Sequence, residues 1–105
     1  YEPTCHVFEG FMDYLSYLIL HGECDAVVLN SIVNLPNTLS ILNEYSQICC
    51  HLDNDIVGKM ATRQIMEALG AKCADASNEY GAYKDLNEYL MSKSMAFRQK
   101  GRNES

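Results

Sequence analysis

Five cysteines, Cys5, Cys24, Cys49, Cys50 and Cys73, fall at the ends of apolar segments in a chain of 105 residues. A chain of this length builds one core, marginal enough for cross-links to matter. Cysteine at this level is above ordinary usage but below that of a knottin-like scaffold, which leans toward an oxidising compartment. The expectation is a secreted domain stapled by disulfides, with a cytoplasmic chain as the alternative. The longest apolar run, around Leu15 to Leu20, is too short to span a bilayer, so no membrane insertion is expected. The start at Tyr1, with neither a signal peptide nor an initiating Met, fits a processed mature chain or a trimmed one.

The apolar period is helical nearly throughout. Val7, Phe8, Phe11, Met12, Leu15, Leu18 and Ile19 recur at three and four and close at Gly22. Val27, Val28, Ile32 and Val33 follow Asp25 and stop at Pro36; their β-branched content makes a strand the competing assignment, but no partner strand is evident. A third face holds Leu42, Tyr45, Ile48, Cys49 and Leu52, and a fourth holds Ile56, Val57, Met60, Ile65, Ala68 and Leu69 before Gly70. Ser77 or Asn78 caps a fifth, with Tyr80, Tyr83, Leu86, Leu90 and Phe97. The fold class expected is all-α: a single-domain bundle of about five antiparallel helices over residues 1–100, with a polar tail at 101–105.

In such a bundle only cysteines at the same end bring their Cα atoms within the about 4.4 to 6.8 Å that a disulfide requires. The pairs expected are Cys5 with Cys73, and Cys24 with either Cys49 or Cys50. The leftover thiol is buried and inert, or it links two copies in a dimer.

Charge divides unevenly. Residues 1–58 hold eight acids and no Lys or Arg, while the remainder holds eight bases and six acids. An acidic face at Glu9, Asp13, Glu23 and Asp25 repels phosphate, which argues against nucleic acid and for a protein partner with a basic surface. The basic cluster Lys93, Arg98, Lys100 and Arg102 complements a helix C-terminus, and it offers a surface for self-association.

Chemical constellations are weaker. His21, Cys24, Cys50 and His51 offer nitrogen and sulfur donors for zinc at the bundle top, but the adjacent Cys50 and His51 would need a frayed helix end. Asp53, Asp55 and Gly58 sit at EF-hand-loop positions one, three and six; Val57 and Gln64 replace required oxygen donors, so Asp53 to Asp55 read as capping acids. Glu9 with Asp13, and Glu23 with Asp25, are candidate paired carboxylates that exposed helix acids explain more cheaply. No nucleophile signature surrounds any Cys, His or Ser, so no catalysis, no metal and no cofactor are expected. Asn103-Glu104-Ser105 matches the glycosylation acceptor pattern.

Cys5, Cys73 and a mid-chain Cys49 before a final helix are similar in outline to secretoglobins, small secreted helical proteins that dimerise around hydrophobic ligands. Cys24, Cys50 and the long fifth helix depart from that outline. The adjacent Cys49 and Cys50 resemble those of plant lipid-transfer proteins, whose additional cysteines are missing. The spacing assigns the chain to neither family. The function expected is a secreted helical module acting through protein–protein interaction. The alternatives are a carrier of a small apolar ligand or lipid in the bundle core, and a cytosolic EF-hand-like or zinc-binding adaptor.

Overall fold

The short apolar runs that read as parts of helices are strands. In the computed structural model, which describes the backbone of residues 3–104 and their side chains apart from Ile32 and residues 96–104, four segments are extended. They are β1 (Thr4–Phe8), β2 (Asp25–Val28), β3 (Gln47–His51) and β4 (Cys73–Asp75). Between and after them run α1 (Phe11–His21), α2 (Leu35–Leu42), α3 (Ile56–Leu69) and α4 (Leu86–Glu104). The all-α expectation is therefore corrected to an α/β fold. Its error has a physical cause. Strands of a parallel sheet covered on both faces lose the alternation that betrays a half-buried strand. Val7 and Phe8 of β1 then fall in step with Phe11 and Met12 of the next helix, and the two elements merge into one apparent stripe.

All neighbours in the sheet are parallel, in the order β2-β1-β3-β4. From β1 the chain moves outward through α1 to β2, then returns across β1 through α2 to β3 and continues through α3 to β4. Crossovers between parallel strands keep one hand, so reversing direction puts the helices on opposite faces. Accordingly α1 contacts α4 on one side and α2 contacts α3 on the other. Under α2 and α3 lie Cys5, Val7, Ile48, Cys50, Leu52 and Cys73, with Ile65 of α3 packed onto them; on the side of α1 and α4 Phe8 and Tyr80 pack with Leu86 of α4. The loops leaving β1 and β3 run in opposite directions, which opens a crevice at the carboxyl ends of these two adjacent strands.

This topology also disposes of the staples. Cys5 and Cys73 both register with Ile48, from either side, so two strand spacings of about 9.6 Å separate them, well beyond disulfide reach. Cys24 precedes β2, and β1 stands between it and Cys49 and Cys50. All five cysteines are free thiols. Cys5 and Cys50 fill the core as small apolar groups, and burial pushes their thiols up to about 11 and about 12. The secreted expectation loses the bonds it was built on. Alkylation of the unreduced, denatured chain followed by intact mass is expected to add five adducts to a monomer; any disulfide-linked species would contradict the arrangement.

No helix among the described residues is long and apolar enough to cross a membrane. Of the basic cluster, Lys93 lies 5.3 Å over the Tyr89 ring. The side chains of Arg98, Lys100 and Arg102, and those of the 101–105 segment with its glycosylation pattern, lie outside the described set, while the backbone expected to be a polar tail continues α4 to Glu104.

Candidate metal centre

Three segments deliver carboxylates to the crevice between β1 and β3. The first is the β1–α1 turn. Phe8 and His51 are register partners at the strand ends, so Glu9, one residue on, and Asp53, two residues on, leave the sheet at the same edge. Gly10 caps α1 in extended conformation and places Asp13 in its first turn, where only 6% of that residue is exposed. The second is the β3–α3 turn, in which Asp55 caps α3 by accepting 2.7 Å from the Gly58 amide. The third is the loop before α4, in which Asp85 accepts 2.8 Å from the Glu88 amide.

Asp13, Asp53 and Asp85 each aim one carboxylate oxygen at a common point, the three atoms lying within 4.8 Å of one another. Glu9 reaches the same place, since its charge is the first of those acting on the Asp53 carboxyl. Burial raises the Asp13 carboxyl to about 6, against the 3.1 Å hydrogen bond it accepts from the Asn87 amide; Asp85 and Asp53 push the same way as burial. Asp53 is raised by burial first, then by the charges of Glu9, Asp85 and Asp55. Among the described residues the ion pairs are His21 with Glu79 and Lys59 with Asp75, and none of them reaches this cluster.

One atom tests whether a divalent cation fits. Glu9 Oε1 is buried with no hydrogen-bond partner, an arrangement that costs free energy unless something positive faces it. The donors are all carboxylate oxygens, the hard set that Mg²⁺ or Mn²⁺ accepts and zinc does not favour. Residues and group fit.

The Toprim-like family matches residues 6–90. The chain belongs to this Toprim-like family. Among the solved structures that share the fold are the following two. The primase fragment of the bacteriophage T7 primase-helicase protein aligns with a TM-score of 0.72 at 20% identity, covering 87% of this chain and 40% of that one. A chain in the structure of bacteriophage T7 lagging-strand DNA polymerase interacting with primase domains bound to an RNA/DNA hybrid and dTTP aligns at 0.70 and 24% identity, covering 88% and 49%. The Toprim-like chain thus spans less than half the length of either. No curated protein matches it.

These findings correct four expectations together: a binding module without catalysis, a protein that is no enzyme, avoidance of nucleic acid, and secretion. The acids were misread because sequence shows their number but not their convergence. The supposed acidic face divides: Glu9 and Asp13 enter the cluster, whereas Glu23 and Asp25 lie at the amino end of β2 beside Tyr14, Leu18 and Cys24. The apolar-ligand alternative fails because it needed the core of a helical bundle, whereas the core here is two layers packed on the faces of a sheet. A strand, not a helix, enters the Asp53 turn, so the EF-hand alternative fails as well. The zinc set is split, with Cys50 under α2 and α3 and His51 on the opposite face.

His51 instead joins His6 and His21 around the Tyr17 ring, at centroid distances of 4.9, 4.7 and 4.8 Å. His6 Nδ1 and His51 Nε2 share one hydrogen bond of 2.8 Å, and His51 stacks on Phe8. Burial lowers His51 to about 4, helped by the charges of His6 and His21 and opposed by Asp75. Because the folded value lies below the unfolded one, the unfolded chain binds more protons between these two values, and stability is lost as pH falls from about 6.5 toward 4. Relative to His51→Phe, the wild-type chain is expected to lose about 3 kcal/mol across that window in urea melts. Asp13 acts in the opposite sense, so the comparison of the two chains, not the wild-type curve alone, isolates the imidazole. Parallel curves would contradict the assignment.

Proposed function

We propose that this Toprim-like unit carries out divalent-cation-dependent phosphoryl transfer on nucleic acid, and that the specific reaction is nucleotidyl transfer onto a growing strand. The observation that carries the reading is the meeting of Asp13, Asp53 and Asp85, with the orphaned Glu9 oxygen, at the switch point of a parallel sheet. The two solved structures described above contain primase domains, which favours synthesis over hydrolysis. Five free thiols suit the reducing interior of a cell, where such a substrate is found.

Glu9, Asp13, Asp53 and Asp85 would hold the cation, with Asp55 close enough to add to its field. When bound, Mg²⁺ or Mn²⁺ supplies charge neutralisation at the phosphate oxygens and alignment of the attacking and leaving oxygens. The residues' own work is positional. Asp55 and Asp85 are tied down as helix caps, and the Asn87 amide fixes the orientation of the Asp13 carboxylate. The first 58 residues carry no Lys or Arg, so the chain itself repels phosphate around the crevice until the cluster is neutralised. Activity is therefore expected to rise steeply with divalent concentration.

The test supplies a single-stranded template, nucleoside triphosphates and Mg²⁺ or Mn²⁺, and separates extended from shortened products. Extension lost in Asp53→Asn supports nucleotidyl transfer. Cleavage without extension would replace that reaction by hydrolysis at the same site, and divalent-independent products would overturn the role of the cluster.

A further inference from the structure

Asp85 stands apart from the other acids because no strand delivers it. It belongs to the loop between the Ser77–Tyr80 turn and α4, outside the sheet. Something must register that loop against the β3–α3 turn, and Asn54, between Asp53 and Asp55, makes the connection. Its backbone amide donates 2.6 Å to the Lys84 carbonyl, and its side-chain nitrogen donates 3.1 Å to the Tyr80 carbonyl and 3.0 Å to the Tyr83 carbonyl. Three donors of one residue thus engage three carbonyls in the five residues that precede Asp85. Both side-chain partners are pure acceptors, which requires the amide nitrogen rather than the oxygen to face them. The Tyr80 hydroxyl adds a bond of 2.7 Å to the Leu52 carbonyl and ties the same two segments one step deeper.

We infer that Asn54 is the positioning residue of the metal centre: its carboxamide fixes the Tyr80–Lys84 loop so that Asp85 meets Asp53 and Asp13. This deepens the divalent-cation reading and rests on it. A carboxylate at position 54 has the same shape but no proton to donate, so it would face two carbonyl oxygens and release the loop. Adding a negative charge beside the cluster attracts a cation, whereas losing the clamp withdraws a ligand.

The decisive experiment titrates Mn²⁺, followed by electron paramagnetic resonance, into the wild-type chain, Asn54→Asp, Asn54→Ala and Asp53→Asn. Circular dichroism at the working temperature establishes that each is folded. Asn54→Asp and Asn54→Ala are expected to bind Mn²⁺ about 10- to 100-fold more weakly than wild type, the range typical of groups that orient metal ligands. Asn54→Ala retains the backbone bond to Lys84 and adds no charge, so it carries the test if Asn54→Asp does not fold. Wild-type binding with either folded Asn54 variant within threefold of it, or tighter, overturns the positioning role alone. Absence of wild-type binding overturns the metal centre itself, and the positioning role with it.

Discussion

Asp53→Asn is expected to raise the thermal midpoint of the metal-free chain at pH 8 and to abolish its stabilisation by divalent cations. Asp53 sits half-buried among Glu9, Asp85 and Asp55, and burial together with these charges lifts its carboxyl above the ordinary value of 3.8. A carboxyl raised in the folded state contributes stability that is present below its unfolded value and lost as pH rises through the folded one. At pH 8 the charge opposes folding, and the amide removes it. The gain should be about 1 to 3 kcal/mol, or roughly 5 to 15 °C for a domain of this size. In wild type a cation at a hundred times its dissociation constant returns about 2.7 kcal/mol, and in the variant almost nothing. Thermal melts at pH 8, with and without Mg²⁺, check both halves. A variant less stable without metal, yet still stabilised by it, would contradict the account.

Gly58→Ala is expected to be the most damaging small substitution in the chain. Gly58 needs no unusual backbone angle; it needs room. A Cβ placed there would lie 2.1 Å from the Asp53 carbonyl oxygen and 2.9 Å from that residue's carbonyl carbon and nitrogen, all backbone atoms that cannot swing aside. The first turn of α3 is therefore laid directly on the Asp53 peptide, and the Asp55 cap closes on the Gly58 amide in the same turn. Accommodating a methyl must shift either α3 or the metal ligand, at a cost of about 3 kcal/mol or more. Urea denaturation should show that loss, with weaker Mn²⁺ binding in whatever folded fraction remains. Stability within about 1 kcal/mol of wild type would mean the helix is not seated as described.

Part of this architecture was legible in the residues. Ile56 to Leu69 with Gly70 behind it reads as a helix, and it is α3, ended by that glycine at φ 75°. Elsewhere the period misled for a reason that lies in the packing. β3 is buried from both sides, so Ile48, Cys49 and Cys50 carry no polar alternation. α2 is only eight residues long, so Leu42 and Tyr45 join with β3 into one false helical face. The β-branched pair Val27 and Val28 was the one local signal for a strand, and β2 is where it lies.

The site was legible only in fragments. Glu9 and Asp13 stood out as paired carboxylates and Asp53 to Asp55 as a calcium-like or capping acidic turn. Each fragment alone is explained more cheaply by a helix end. What joins them is the parallel pairing of β1 with β3, a contact between residues more than forty positions apart that no local pattern reports. Asp85 carried no signal, because its place depends on the bonds Asn54 makes across to its loop. The signal that could have been found is a pair of short runs, Thr4–Phe8 and Gln47–His51, each followed at once by acids at the start of a helix.

The most direct measurement is anomalous diffraction at the manganese edge from crystals of this chain grown with Mn²⁺. The account predicts a peak in the crevice between β1 and β3, coordinated by oxygens of Asp13, Asp53 and Asp85 with Glu9 Oε1 turned toward it. A well-ordered crevice in which those carboxylates hold no manganese at millimolar concentration would contradict it.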